Sequence, residues 1–225
     1  MAFLIQTQHL SKIYTDKSSS VETKALDDVS LNIEEKDFVA IAGPSGSGKT
    51  TLLNIIGGLD EPTGGDVIVD EQNLNSLSSA DLAEFRLRKI GFVFQAYNLI
   101  PTLSTLENTE YVALLQGMPY LERRKECFEI LKDLGLGPLI HRRPSELSAG
   151  QQQRAAIARA ILVKPKIILA DEPTANLDSK TGAALIELMY KMNQTLGITF
   201  VFATHDRMVM EKAKNLIELH DGKIV

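Results

Sequence analysis

The sequence predicts an α/β fold with a helical lobe inserted into it. Three observations carry that prediction. An apolar run, Phe38-Val39-Ala40-Ile41-Ala42, leads into the glycine-rich stretch Gly43-Pro44-Ser45-Gly46-Ser47-Gly48-Lys49-Thr50-Thr51, and a helix-like run, Leu52-Leu53-Asn54-Ile55-Ile56, leads out. Ile167-Ile168-Leu169-Ala170 and residues 198–203 are continuous apolar runs, as expected of parallel strands buried on both faces. Between Gln95 and Ser148 no stretch reads convincingly as a strand, whereas residues 104–116 and 120–134 read as helices.

The glycine-rich stretch has the spacing G-x-x-x-x-G-K-[ST] of a phosphate-binding loop. Glycines let backbone N–H groups converge on an anion without side chains in the way. Lys49 is the informative residue, because a cation in the first turn of a helix opposes the helix dipole. A polyphosphate at that helix start, reached by Lys49, removes the conflict. Thr50 places a hydroxyl where a Mg²⁺ ligand is needed. The plain alternative, a glycine turn capping a structural helix, does not account for Lys49. Gly57-Gly58 supplies the stop at the far end.

The chain has 225 residues, 44% of them hydrophobic, which suits one globular domain with a sizeable core. The lobe would occupy about residues 96–150 of it. Net charge is −5, and no basic block suggests a nucleic-acid surface. Arg86, Arg88 and Lys89, and Arg123, Arg124 and Lys125, sit in amphipathic helical stretches and read as solvated faces. Cys127 is the only cysteine, so it makes no internal disulfide and reads as a buried core thiol in a reducing compartment. The N-terminus lacks the charge and the apolar length of a signal peptide, and no stretch is long enough for a membrane span. The expectation is a cytosolic chain that needs a partner for any role at a membrane.

In order along the chain, residues 3–13 alternate weakly, as a strand, and residues 14–20 form a polar loop. Residues 29–33 alternate cleanly. Pro62-Thr63-Gly64-Gly65 reads as a turn before a short strand at 66–70. Residues 79–88 form a helix, and 91–95 a strand ending at Gln95. Phe128, Leu131 and Leu134 share a helical spacing. Residues 150–163 form a helix with Ser148 as its cap and Pro165 beyond its end. Leu185, Leu188, Met189, Met192 and Leu196 form a helical stripe that reads as core. Asp221-Gly222 marks a closing hairpin.

Asp171-Glu172 directly follows the buried strand at 167–170. Adjacent carboxylates there repel unless a cation or proton intervenes. Beside a phosphate-binding loop, Asp171 is placed to hold Mg²⁺ and Glu172 to act as general base on a water. Strand C-termini are where ligands sit in open α/β sheets. His205, past the strand at 198–203, could reach a terminal phosphate. Gln95 could orient water or touch Mg²⁺. Leu147-Ser148-Ala149-Gly150-Gln151 places small residues at a helix start, a second potential anion site, although a plain serine cap explains it as well. Tyr14 could stack on a purine or simply pack.

These elements, in this order, resemble the nucleotide-binding subunit of an ATP-binding cassette (ABC) transporter over nearly the whole chain. Residues 43–50 match the Walker A loop, Ile167 to Asp171 the Walker B strand, and Glu172 the carboxylate after it. Leu147 to Gln151 match the signature, Gln95 the Q-loop, Ala175-Asn176-Leu177-Asp178 the D-loop, His205 the switch histidine, and Tyr14 the aromatic that stacks on adenine. The resemblance implies a RecA-like P-loop core with an antiparallel β subdomain and the inserted helical lobe. It implies ATP and Mg²⁺ as cofactors, with Thr50, Gln95 and Asp171 on the metal and Lys49, Gln95, Glu172 and His205 catalytic. Tyr14, residues 43–51, Ser148, Gly150, Gln151 and Asp178 would contact nucleotide. Two copies would sandwich two ATP molecules head to tail, with Ser148 and Gly150 supplied by the second copy. Ala149 departs from the usual signature glycine, and tuning rather than loss of activity is expected.

A finer resemblance is to the ATPases of lipoprotein release and macrolide export. It rests on Asn54-Ile55-Ile56-Gly57-Gly58-Leu59-Asp60, Pro62-Thr63-Gly64-Gly65, and Phe94-Gln95 leading to Asn98-Leu99-Ile100-Pro101. It implies a peripheral position on the cytoplasmic face of the inner membrane, beside a permease with few spans and a large extracytoplasmic domain. The cell-division ATPase, which signals through its membrane partner without transport, looks similar and is the alternative. Chromosome-type ABC proteins insert a long coiled coil, whereas about fifty residues without sustained heptads separate Gln95 from Ser148 here. A P-loop kinase or GTPase leaves Leu147 to Gln151 unexplained.

Overall fold

The apolar runs become the centre of a parallel sheet. The structure, a computed structural model, describes residues 3–15 and 22–225. The elements are β1 (Ile5–Thr15), β2 (Glu22–Ile33), β3 (Phe38–Ala42), α1 (Lys49–Ile56), β4 (Gly64–Val69), β5 (Gln72–Asn73), α2 (Ser79–Lys89) and β6 (Ile90–Val93), then α3 (Thr105–Leu115), α4 (Tyr120–Asp133), α5 (Ala149–Ile161), β7 (Ile167–Asp171), α6 (Ser179–Leu196), β8 (Thr199–Thr204), α7 (Arg207–Lys212), β9 (Asn215–His220) and β10 (Lys223–Ile224). One sheet has the order β10-β9-β3-β8-β7-β6 and is parallel except for the terminal β9–β10 hairpin. Asp221 and Gly222, both at positive φ, make that hairpin's turn, as the Asp-Gly pair predicts. The second sheet, β2-β1-β4-β5, is antiparallel.

The helical stretch falls where expected: α3 and α4 follow β6, and α5 leads back to β7. The central strands β3 and β8 are buried at every residue, so they carry no alternation. One core cluster joins the antiparallel sheet, α1 and one side of the parallel sheet, through Ile5, Val29, Ile41, Leu52, Leu169 and Val201 among others. The other joins the opposite side to the helices, through Phe38, Leu131, Ile157, Met189 and Phe202. Phe38 packs on Phe200 and Phe202 at centroid separations of 5.7 and 4.7 Å.

Several local expectations shift. β1 runs on to Thr15, so Tyr14 lies on a strand, paired with Thr23 of β2, not in a loop. The rest of that expected loop, 16–20, lies outside the described residues. β2 begins at Glu22, well before the alternating segment at 29–33. β4 starts inside the expected turn, at Gly64, and β6 ends at Val93, so Gln95 sits beyond the strand. Leu131 and Leu134 are buried but Phe128 is 47% exposed, and Leu196 at the end of α6 is exposed too. Arg123 is not on a solvated face. Its Nε lies 3.2 Å from Glu110 Oε2, and both side chains are nearly buried. Cys127 is fully buried, and burial pushes its thiol up to about 12.

Candidate nucleotide-binding site

The loop between β3 and α1 is shaped by close backbone approach. A Cβ on Gly43 would lie 2.1 Å from the Leu219 carbonyl oxygen, and one on Gly48, at φ +102°, 2.4 Å from that of Ala25. Gly46, at φ +81°, has nothing within 4 Å of such a Cβ. The first two glycines therefore seat the loop against β9 and β2, while the third faces open space. Helix α1 begins at Lys49 with no side-chain cap, which leaves its first N–H groups free of side-chain acceptors. The Lys49 ammonium donates to the Gly43 and Pro44 carbonyls, both at 2.8 Å, and so lies across the loop. Ser47 Oγ is buried and has no hydrogen-bond partner.

The strand ends bring the acidic groups to this loop. Thr50, in the first turn of α1, donates through Oγ1 to Asp171 Oδ1 at 3.0 Å. Burial pushes the Asp171 carboxyl up; the Thr50 hydrogen bond opposes this and the Glu172 charge adds to it. Glu172 adopts φ +43°, an uncommon conformation for a non-glycine residue, and its N–H donates to the Ala203 carbonyl of β8 at 2.9 Å. Its Oε1 lies 2.7 Å from His205 Nδ1, and Thr204 Oγ1 donates to its Oε2 at 3.4 Å. Both carboxylate oxygens of Glu172 are thus engaged by the end of β8.

A cleft of about 410 Å³ joins these groups: Ser45, Gly46, Gly48, Lys49, Thr50 and Thr51 on one side, Gln95, Glu172 and His205 on the other. Thr23, Lys24 and Ala25 of β2 also line it, though no motif marks them; they reach the cleft because β2 pairs beside Tyr14. Gln95 sits at a turn whose Tyr97 and Asn98 both have positive φ. Asn176 Nδ2 donates to the Gln95 carbonyl at 2.9 Å, and Arg159 of α5 holds the Tyr97 and Asn98 carbonyls. Arg159 is a supporting residue that no spacing singles out.

The remaining predicted site residues do not line this cleft within one chain. Ser148 and Gln151 form a reciprocal capping box at the start of α5. Gly150 packs on α6, where a Cβ would lie 2.7 Å from Thr181 Cγ2. Asp178 caps α6, accepting from Lys180 and Thr181, and these hydrogen bonds, that of the Thr181 hydroxyl foremost, hold its carboxyl below the usual range. The Tyr14 hydroxyl donates to Asp60 Oδ2 at 2.6 Å, and its ring is 43% exposed.

The donor set suits a polyphosphate with a hard cation. The loop offers a cation, an uncapped helix start and an unpartnered buried hydroxyl. Thr50 and Asp171 offer a hydroxyl and a carboxylate oxygen 3.0 Å apart, hard donors of the kind Mg²⁺ takes beside phosphates and waters. Among the described residues, no group of three or more His, Cys, Asp or Glu could hold a metal by itself. No helix of the described residues is long and apolar enough to cross a membrane.

Comparison with known proteins agrees with this chemistry. The family described as "ABC transporter" matches residues 26–175. A macrolide export ATP-binding/permease protein, MacB of Brucella melitensis, is 47% identical over 99% of this chain, but the chain spans only 34% of that relative's length. A lipoprotein-releasing system ATP-binding protein, LolD of Syntrophus aciditrophicus, is 42% identical, with 99% of each chain covered. The fold superposes on a solved dimeric ATP-binding cassette, in a post-hydrolysis state bound to ADP and Pi, with a TM-score of 0.91 at 46% identity, covering 98% of this chain and 96% of that one. With its glycine-rich loop, Glu172 and His205 all opening on one cleft, this chain belongs to the ABC transporter family as one of its ATP-binding ATPase subunits, and is similar to those of lipoprotein release and macrolide export.

Proposed function

We propose that the chain drives a membrane permease of the lipoprotein-release or macrolide-export type, through ATP-dependent closure of a head-to-tail dimer of itself. Residues 43–51 cradle the phosphates, and Lys49 lends them its charge. Tyr14 stacks on the adenine. Thr50, Asp171 and Gln95 hold Mg²⁺, which when bound neutralises phosphate charge. Glu172 accepts a proton from the attacking water, and His205, hydrogen-bonded to that carboxylate, keeps it aimed. Ser148 and Gly150 act on the nucleotide held by the other copy, and Gln151 and Asp178 contact nucleotide as well. The permease has few spans and a large extracytoplasmic domain, and the chain sits peripherally on the cytoplasmic face of the inner membrane beside it.

The observation that carries this reading is the 2.7 Å contact between Glu172 and His205, next to the Thr50–Asp171 pair at 3.0 Å. The placement of Ser148 and Gly150 away from the cleft supports completion of the site by a second copy. Sedimentation of Glu172→Gln tests it. Addition of Mg-ATP should convert monomer to dimer, and Ser148→Arg in that background should abolish the conversion. A monomer at saturating ATP overturns the sandwich.

A further inference from the structure

Tyr14 has a half-exposed ring at the end of β1, and an exposed side chain is a poor platform unless something fixes it. Asp60 does so. It lies in the turn after α1, where its N–H and that of Leu59 both donate to the Asn54 carbonyl. Its Oδ2 accepts the Tyr14 hydroxyl at 2.6 Å, and its Oδ1 accepts Lys12 Nζ at 2.6 Å and the Glu61 N–H at 2.8 Å. Lys12 also donates to the Glu61 carbonyl at 2.6 Å, and its ammonium lies over the Tyr14 ring, 4.8 Å from the centroid. The Lys12 side chain is only 12% exposed, so the ammonium is confined there. Burial works to raise the Asp60 carboxyl, but the hydrogen bonds from Lys12 and Tyr14 outweigh it and hold the carboxyl below the usual range. It is therefore ionised at neutral pH.

We propose that Asp60 is a positioning residue for nucleotide binding: it fixes the Tyr14 ring, with Lys12 against one face, so that the other face is presented to the adenine. The proposal rests on the stacking role given to Tyr14 above. Its physical content is registration. Asp60 is anchored to the same α1 that carries Lys49 and Thr50, so the base platform and the phosphate loop are held at a set separation. A ring fixed before binding loses less freedom on stacking, which strengthens association without adding a contact.

The test is KM and kcat for ATP hydrolysis by the purified chain. Base–aromatic stacking is worth enough that Tyr14→Ala should raise KM about tenfold. Loss of preorganisation alone should cost less, so Asp60→Ala is expected to raise KM about fivefold, the loss falling on KM and not on kcat. Asp60→Ala should add nothing in a Tyr14→Ala background. Asp60→Asn, which keeps an acceptor for the hydroxyl, should recover part of the loss. Tyr14→Phe removes only the hydroxyl and should raise KM in the same direction, which keeps the test decisive if Asp60→Ala does not fold. An unchanged KM in Tyr14→Ala defeats the stacking role and the proposal with it. A raised KM in Tyr14→Ala with none in Tyr14→Phe or Asp60→Ala defeats the proposal alone. So do effects of Asp60→Ala and Tyr14→Ala that multiply, since Asp60 would then act by another route.

Discussion

Two glycines of the phosphate loop should respond very differently to the same added methyl group. Gly46 and Gly48 both sit at positive φ, +81° and +102°, so alanine at either costs about 1–2 kcal/mol of backbone strain. At Gly46 nothing lies within 4 Å of the new Cβ. At Gly48 the Cβ would lie 2.4 Å from the Ala25 carbonyl oxygen and 3.0 Å from Leu26 Cδ2. Ordinary contact requires about 1 Å more separation from that carbonyl. Ala25 and Leu26 belong to β2, and Leu26 is fully buried, so neither yields freely. Overpacking of this kind adds about 1–3 kcal/mol. For a chain of this length 1 kcal/mol moves Tm by roughly 2–4 °C, so Gly46→Ala should lower Tm by about 2–8 °C and Gly48→Ala by about 4–20 °C. Gly46 lines the cleft, so Gly46→Ala should raise the KM for ATP despite its smaller thermal penalty. Thermal unfolding followed by circular dichroism measures both shifts. Equal shifts, or a larger one for Gly46→Ala, would refute the assignment of Gly48 to packing against β2.

Asp171→Asn should raise the Tm of the nucleotide-free protein at pH 7.5 while abolishing ATPase activity. Burial raises the Asp171 carboxyl, so its folded pKa exceeds its unfolded one. The stability it contributes is complete below the unfolded pKa and is lost as pH rises through the folded one. The gain from Asp171→Asn should therefore shrink as pH falls toward 4; a gain that is constant with pH would contradict the cause given. Gly150→Ala should destabilise by about 1–2 kcal/mol through its 2.7 Å approach to Thr181 Cγ2, and Thr181→Ser, which removes that methyl and keeps the hydroxyl, should restore most of it in urea unfolding.

The parallel sheet and the cleft were legible because each strand end carried its own chemistry. Ile167 to Ala170 is apolar throughout and then meets Asp171 and Glu172; residues 199–203 are buried and then meet Thr204 and His205. Local pattern and local function coincide there. The first part of β2 was not legible, because residues 22–25 are mostly exposed and show no alternation; their pairing with β1 makes them a strand. Arg123 misled for the opposite reason. A basic run on a helix reads as a solvated face, but its partner Glu110 lies thirteen residues earlier on α3, and only the packing of α3 on α4 brings the two together. Phe128 fits the helical spacing of Leu131 yet faces outward, since spacing gives a face of the helix and not the depth to which that face is covered. At Ser148 the plain reading is the one seen within the chain, since the hydroxyl caps α5; the proposed role toward a second copy's nucleotide needs the assembly. Asp60 entered the sequence reading only as the last residue of the Asn54-to-Asp60 stretch, and its contact with the Tyr14 ring was hidden because Tyr14 and Lys12 lie more than forty residues away in sequence.

In the proposed reaction Glu172, aimed by His205 and backed by Thr204, is the group that activates water for ATP hydrolysis. The direct test is the steady-state ATPase rate of Glu172→Gln at saturating Mg-ATP, with nucleotide binding measured on the same sample. Loss of a general base should lower kcat by about 10²–10⁴-fold while the nucleotide still binds. A rate near that of the unaltered protein, with binding intact, would show that Glu172 is not the general base.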